Sequence, residues 1–230
     1  MKYMVARGRQ SGLVRVEIVD VRNPTKSCVL YDEIPHKTKS YLGSGGLLGT
    51  TPVICGGYRY PNHLDECLLL GTSQVITMNS QRMGHSSVGL NNSSMFWIIG
   101  GSDENHLLDS TEYVTTEGAV NGPTLPEPLY KHCSVHFTGN GIVYLISGKT
   151  SFSITTNKVW MANLSNEFTF AQGPSIITAR YGHSCGSMSI GNKSIIVAAG
   201  GSIDYEDYLT SVEILDPLSH QWVAGNQFTT

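Results

Sequence analysis

Apolar residues in this chain come in short bursts that stop on glycine. Val53-Ile54-Cys55 runs into Gly56-Gly57, Trp97-Ile98-Ile99 into Gly100-Gly101, and Val197-Ala198-Ala199 into Gly200-Gly201. Degenerate copies are Tyr144-Leu145-Ile146-Ser147-Gly148 and Tyr3-Met4-Val5-Ala6-Arg7-Gly8. Short apolar runs bounded by turn residues predict buried β-strands. The bursts recur about every 50 residues, the period of a repeat architecture.

Other features keep the same register. Upstream of three doublets stand Arg82-Met83-Gly84-His85-Ser86, Leu129-Tyr130-Lys131-His132-Cys133 and Arg180-Tyr181-Gly182-His183-Ser184. Downstream, past a polar loop, come Glu17-Ile18-Val19-Asp20, Glu66-Cys67-Leu68-Leu69, Glu112-Tyr113-Val114, Lys158-Val159-Trp160 and Glu213-Ile214-Leu215-Asp216. Asn91-Asn92, Asn140-Gly141 and Gly191-Asn192 tolerate φ > 0 and predict tight hairpins. Each unit therefore reads as four short strands, a to d, with the doublet ending strand b. A single four-stranded sheet cannot bury both faces, so such sheets must stack around an axis. The three histidines fall in one slot of successive units, which predicts a repeated packing role rather than a metal site.

This set of motifs, in register along nearly the whole chain, resembles the kelch family, in which each repeat is one propeller blade. There is no Gly-His and Trp-Asp pairing of the kind that marks WD repeats. The resemblance implies an all-β fold, a kelch-type β-propeller of about five four-stranded blades in a single domain over 1–230. The blades are expected at about 1–35, 40–79, 82–126, 129–174 and 180–228. Unit one opens with strand b at Tyr3, so the first blade is expected to lack its inner strand. That fits either a five-bladed ring or part of a longer, six-bladed propeller. Gly56, Gly57, Gly100, Gly101, Gly200, Gly201 and Trp222 are the structural residues of the repeat. The Trp222 slot reads as Cys28 in unit one, Val75 in unit two, Ala119 or Val120 in unit three, and Phe168 or Phe170 in unit four. Packing in blades two and three is expected to be thinner, because small side chains bury less apolar surface.

Composition narrows the function. Hydrophobic residues make up 40% of the 230 and charged residues only 14%, with 25 glycines, a mix that suits strands and turns. The formal net charge of -3 carries no clustered basic excess, which argues against nucleic-acid binding. No apolar run approaches a membrane span. There is no phosphate loop, GxSxG elbow or HExxH, so no cofactor, metal or catalytic residue is predicted and the chain is not read as an enzyme. The acidic run Asp204-Tyr205-Glu206-Asp207 lacks the pattern of a calcium loop.

In a propeller the b–c and d–a connections share one face. The b–c loops carry Tyr58, Arg59 and Tyr60, then Asp103 and His106, then Lys149, then Tyr205 and Tyr208, and the d–a connections carry Arg82 and Arg180. Aromatic and arginine side chains are the usual anchors of interfaces. These residues are the candidates for binding a protein partner, and the function expected is a protein-interaction scaffold. One version is the substrate-receiving propeller of a ubiquitin-ligase adaptor, which requires an upstream BTB domain. The alternatives are a secreted structural propeller, or an enzyme of the kelch-containing oxidase or sugar-isomerase type. Five cysteines without CxxC spacing read as buried thiols. Cys55 and Cys67 face each other across the b–c hairpin and are the one candidate disulfide. Asn91, Asn92, Asn163 and Asn192 stand in Asn-X-Ser triplets, which matter only after secretion. The compartment stays open, with the cytoplasm slightly favoured.

Overall fold

The computed structural model describes residues 40–90, 94–164, 169–191, 193–205 and 207–228, and before them only the backbone of 2–6, 16–20 and 29–31. Among these residues every regular element is a β-strand. The strands of unit one are β1 (Lys2–Ala6), β2 (Val16–Asp20) and β3 (Val29–Tyr31), an antiparallel sheet in that order. Unit two holds β4 (Ser44–Leu48), β5 (Thr51–Cys55), β8 (Glu66–Leu69) and β9 (Val75–Thr77). A two-stranded hairpin, β6 (Tyr58–Arg59) and β7 (Asn62–His63), rises from its b–c loop. Unit three holds β10 (Ser86–Gly89), β11 (Phe96–Ile99), β12 (Thr111–Thr115) and β13 (Gly118–Asn121). Unit four holds β14 (Cys133–Phe137), β15 (Ile142–Ile146), β16 (Val159–Asn163) and β17 (Thr169–Gln172). Unit five holds β18 (Ser184–Ile190), β19 (Lys193–Ala199), β20 (Val212–Asp216) and β21 (Gln221–Ala224).

Units two to five are thus four complete antiparallel meanders, and the inner strands β4, β10, β14 and β18 lie side by side in that order. We call these blades two to five. Both faces of a blade are buried, so alternate residues of one strand serve two different cores. In β11, Phe96 and Ile98 join Val53, Leu69 and Ile76 of blade two, whereas Trp97 and Ile99 join Val143, Leu145 and Ala162 of blade four. A third core between blades four and five holds Tyr144, Ile146, Ile196, Leu215 and Trp222. Each core is one interface between blades, and stability resides in their stacking.

The Trp222 slot needs correction. Trp222 lies opposite Leu215, and the same register places Ala119 opposite Val114 and Phe170 opposite Ala162. Val75 pairs with Leu68 and is half exposed; the buried side chain of that strand is Ile76. Cys28 and Phe168 lie outside the described residues. At the interface that holds Ala119, the Phe96 ring packs onto Gly46 of β4, so closely that a Cβ there would overlap it, and Ala119 packs against the same core.

The sheet register also corrects the reading of strand c. Ile98 pairs with Glu112 and Ala198 with Glu213, but the equivalent Leu145 pairs with Trp160 and Ile54 with Leu68. Glu66 and Lys158 therefore stand two residues before the Glu112 slot.

Candidate interaction face

The glycine doublets and the histidines explain one another. In blades three and five the second glycine, Gly101 or Gly201, has a positive φ and lies against the Cβ of His85 or His183, 2.9 and 2.8 Å from where its own Cβ would be. Gly148 does the same with His132. The first glycine meets the histidine of the following blade: a Cβ on Gly56 would stand 2.7 Å from His85 Cε1. His85 and His132 are each wedges between two strand ends, where a Cβ on Gly56, Gly100, Gly101 or Gly148 would overlap backbone or ring; before His183 the first position is Ser147, whose hydroxyl donates to Arg180 O. Burial, the main cause, lowers the pKa of all three histidines to about 3, so they are neutral wedges at pH 7. His132 Nε2 also meets Ser86 Oγ of the preceding blade at 2.6 Å.

Two buried ion pairs fix the roots of this face. Arg82 Nη2 donates to Glu112 at 2.6 Å, and Nη1 donates to the carbonyls of Gly100 and Ser110. Glu112 also accepts from the Asn79 and Ser80 N–H groups. Blade five repeats every contact, with Arg180 on Glu213 at 2.5 Å, on Gly200 and on Ser211, and Glu213 on Ile177 and Thr178. Blade four inverts the polarity. Leu129 replaces the arginine, and Glu127 on the d–a connection accepts from Trp160 Nε1 and Lys158 Nζ, both at 2.9 Å.

Beyond these rivets the d–a connections turn through one repeated backbone. Leu42, Gly84, Lys131 and Gly182 all have φ between +52° and +63°. Gly84 N–H donates to Leu42 O, Lys131 to Gly84 and Gly182 to Lys131, at 2.7–2.8 Å, so the turns link blade to blade around the mouth of the propeller. Next to each turn the chain bridges its own b–c loop: Tyr41 with Tyr58, Met83 with Ser102, Tyr130 with Lys149, Tyr181 with Ser202. The b–c and d–a connections therefore form one face.

Aromatic rings and two cations converge at this mouth. Lys149 Nζ lies 4.4 Å from the Tyr181 ring centre and 5.0 Å from that of Tyr205, and donates to Phe152 O. Lys131 Nζ lies 5.1 Å from Tyr130 and 5.5 Å from the same Tyr181 ring. Burial first, then the Lys149 charge, hold the Lys131 ammonium below its usual range. Burial pushes Tyr130 up to about 12, helped by Tyr205, Tyr41 and Tyr181.

Residues 179–228, which form blade five, match the Kelch motif family. The same turn, wedge and doublet recur in blades three and four. The chain is a β-propeller that carries a kelch motif in blade five. The solved structure described as "Structure of YjhT" superposes with a TM-score of 0.77, covering 94% of this chain and 78% of that one at 11% identity. At that identity the likeness speaks for the fold alone. No curated protein matches the chain in sequence.

On this face the predicted partner residues separate into four groups. Tyr60, Tyr205 and Tyr208 project into solvent, at 85%, 77% and 82% exposure. Tyr58 and Arg59 sit in the blade-two hairpin, where the Tyr58 ring packs edge-on against Tyr41 and His63, each at 5.1 Å. Asp103 and His106 close their own loop. The Asp103 carboxyl, partly desolvated, is nevertheless held below its usual pKa by N–H bonds from Asn105 and His106. Arg82 and Arg180, placed by the sequence among the partner contacts, are wholly buried in their ion pairs and cannot reach a partner. Lys149 is also almost fully covered. The sequence reading missed Tyr41, Tyr130, Lys131 and Tyr181. Lys131 had a signal, since it stands where units three and five have glycine.

The cysteines form two disulfides. Cys55–Cys67 joins directly opposed residues of β5 and β8, with Cα atoms 4.0 Å apart. Cys133–Cys185, which no spacing suggested, ties inner strand β14 to β18 across the interface of blades four and five. Cys28, Asn91, Asn92 and Asn192 lie outside the described residues.

Proposed function

We propose that this kelch propeller is a protein-interaction scaffold whose partner docks on the face made by the d–a and b–c connections. The observation that carries this reading is the set of tyrosines there: Tyr60, Tyr205 and Tyr208 are each more than three-quarters exposed, all on b–c loops of one face. Phe152, Ile154 and Ile203 extend the apolar rim. Large exposed aromatics anchored by a rigid frame are what interfaces use. In this reading the chain carries no reaction of its own and needs no cofactor. We further propose that the antiparallel sheet of β1, β2 and β3 is strands b, c and d of a fifth blade, since it has their order and pairing.

The test uses a partner recovered on the wild-type chain, purified and titrated. Tyr205→Ala and Tyr208→Ala are each expected to weaken binding by about 1–2 kcal/mol, the scale of anchor residues. Leu218→Ala, in the c–d turn of blade five, should leave affinity unchanged. The reverse pattern would place the interface on the other face.

A further inference from the structure

We propose that the mouth of this propeller binds an acidic side chain of the partner, its carboxylate paired with the Lys131 ammonium and backed by the charge of Lys149. This rests on the docking face argued above and names the chemistry it selects.

Four observations converge. First, Lys131 and Lys149 share one ring, Tyr181, and among the described residues neither makes an ion pair, although Lys158 in the same blade does. Two ammonium groups so close repel, and burial strengthens that repulsion. An incoming carboxylate reverses both terms. Second, Lys131 keeps a left-handed backbone, φ 52°, at a turn position that blades three and five fill with glycine. A lysine gains nothing from that conformation, and strain of this kind collects where a side chain has a use. Third, the cations lie among rings: Tyr130 and Tyr181 flank Lys131, and Tyr205 stands over Lys149. These walls exclude water from a pair formed at the mouth and make it stronger than a surface ion pair. Fourth, Tyr41, Leu42 and Ile203 rim the face, all more than one-third exposed. A carboxylate flanked by apolar residues on a partner chain complements that surface; a free, strongly hydrated acid leaves the rim uncovered.

The probe is a capped pentapeptide, acetyl-Ala-Leu-Glu-Leu-Ala-amide, with its Gln twin and free glutarate as controls. Binding to the full chain is followed by NMR with 13Cε-labelled lysine. The Glu peptide should shift the Lys131 signal saturably, and bind at least about tenfold more tightly than the Gln twin or glutarate, a difference of about 1.4 kcal/mol. Lys131→Gly should abolish that preference while melting no lower than wild type, because glycine suits the turn. That outcome separates lost charge from lost fold. Equal binding of Glu and Gln peptides, binding without a Lys131 shift, or no binding at millimolar peptide overturns the proposal. Glutarate binding as well as the peptide also overturns it, in favour of a small-acid site. The tyrosine variants report on the docking face separately. If Tyr205→Ala and Tyr208→Ala leave partner affinity intact while the Glu-selective shift persists, the face has been misassigned and the carboxylate site stands.

Discussion

At the residue scale the repeat is a set of close approaches. Gly101 meets the Met83 carbonyl and His85 at distances no Cβ tolerates, with φ 99°, whereas Gly186 in β18 has nothing within 4 Å and no positive φ. Gly101→Ala should therefore lower stability by several kcal/mol, and Gly186→Ala should stay within about 0.5 kcal/mol of wild type. Urea midpoints of the two variants check this. Gly122 is no such control: a side chain there would overlap Thr111 Oγ1. The buried pairs give a second test. Arg180→Leu leaves the buried Glu213 side chain without its cation and should cost about 3–5 kcal/mol. Arg180→Leu with Glu213→Leu should recover much of that, because blade four lives without this pair, with Leu129 and Trp160 in the two slots.

At the element scale the three histidine wedges make blade packing sensitive to acid. Their folded pKa of about 3 lies below the ordinary 6.5. Between those values the unfolded chain binds more protons, so stability is complete above about pH 6.5 and falls as pH drops toward 3. Three such groups give a slope on the order of 4 kcal/mol per pH unit near pH 5. Urea titrations at pH 5 and pH 6 measure it, and His132→Gln should lower the slope by about a third if the variant folds. The Cys133–Cys185 bond acts between elements too. It closes a separation of 52 residues, and Cys133→Ser should cost about 2–4 kcal/mol, seen as an earlier opening of blades four and five in hydrogen exchange. Much of this level was legible in the sequence, because doublets, histidines and hairpin turns are local signals with fixed offsets. What was not legible depends on register. Glu66 and Lys158 look like Glu112 in a linear alignment, yet the lengths of the intervening loops shift them by two places in the sheet. Arg82 and Arg180 look like loop residues until their carboxylate partners, some 30 residues on, fold back over them.

At the scale of the whole molecule, burying both faces of each blade leaves the loop connections free to vary while their roots stay fixed. Arg82 and Arg180 pin those roots, the hydrogen-bonded turns from Leu42 to Gly182 hold the blades at one spacing, and the tyrosines project from that frame. Rigid presentation of aromatics lowers the entropy lost on binding. The same frame explains why the mouth could not be read from the chain: Tyr130, Tyr181 and Tyr205 belong to two units and gather around Lys131 and Lys149 only once the blades are stacked. The measurement that addresses the central claim most directly is hydrogen exchange of the chain with and without its purified partner. The account predicts slowed exchange in the b–c segments 58–64, 149–156 and 202–209 and at the d–a turns around Leu42, Lys131 and Gly182. Protection confined to the c–d turns at 116–118 and 217–220, with the tyrosine loops exchanging as in the free chain, would contradict it.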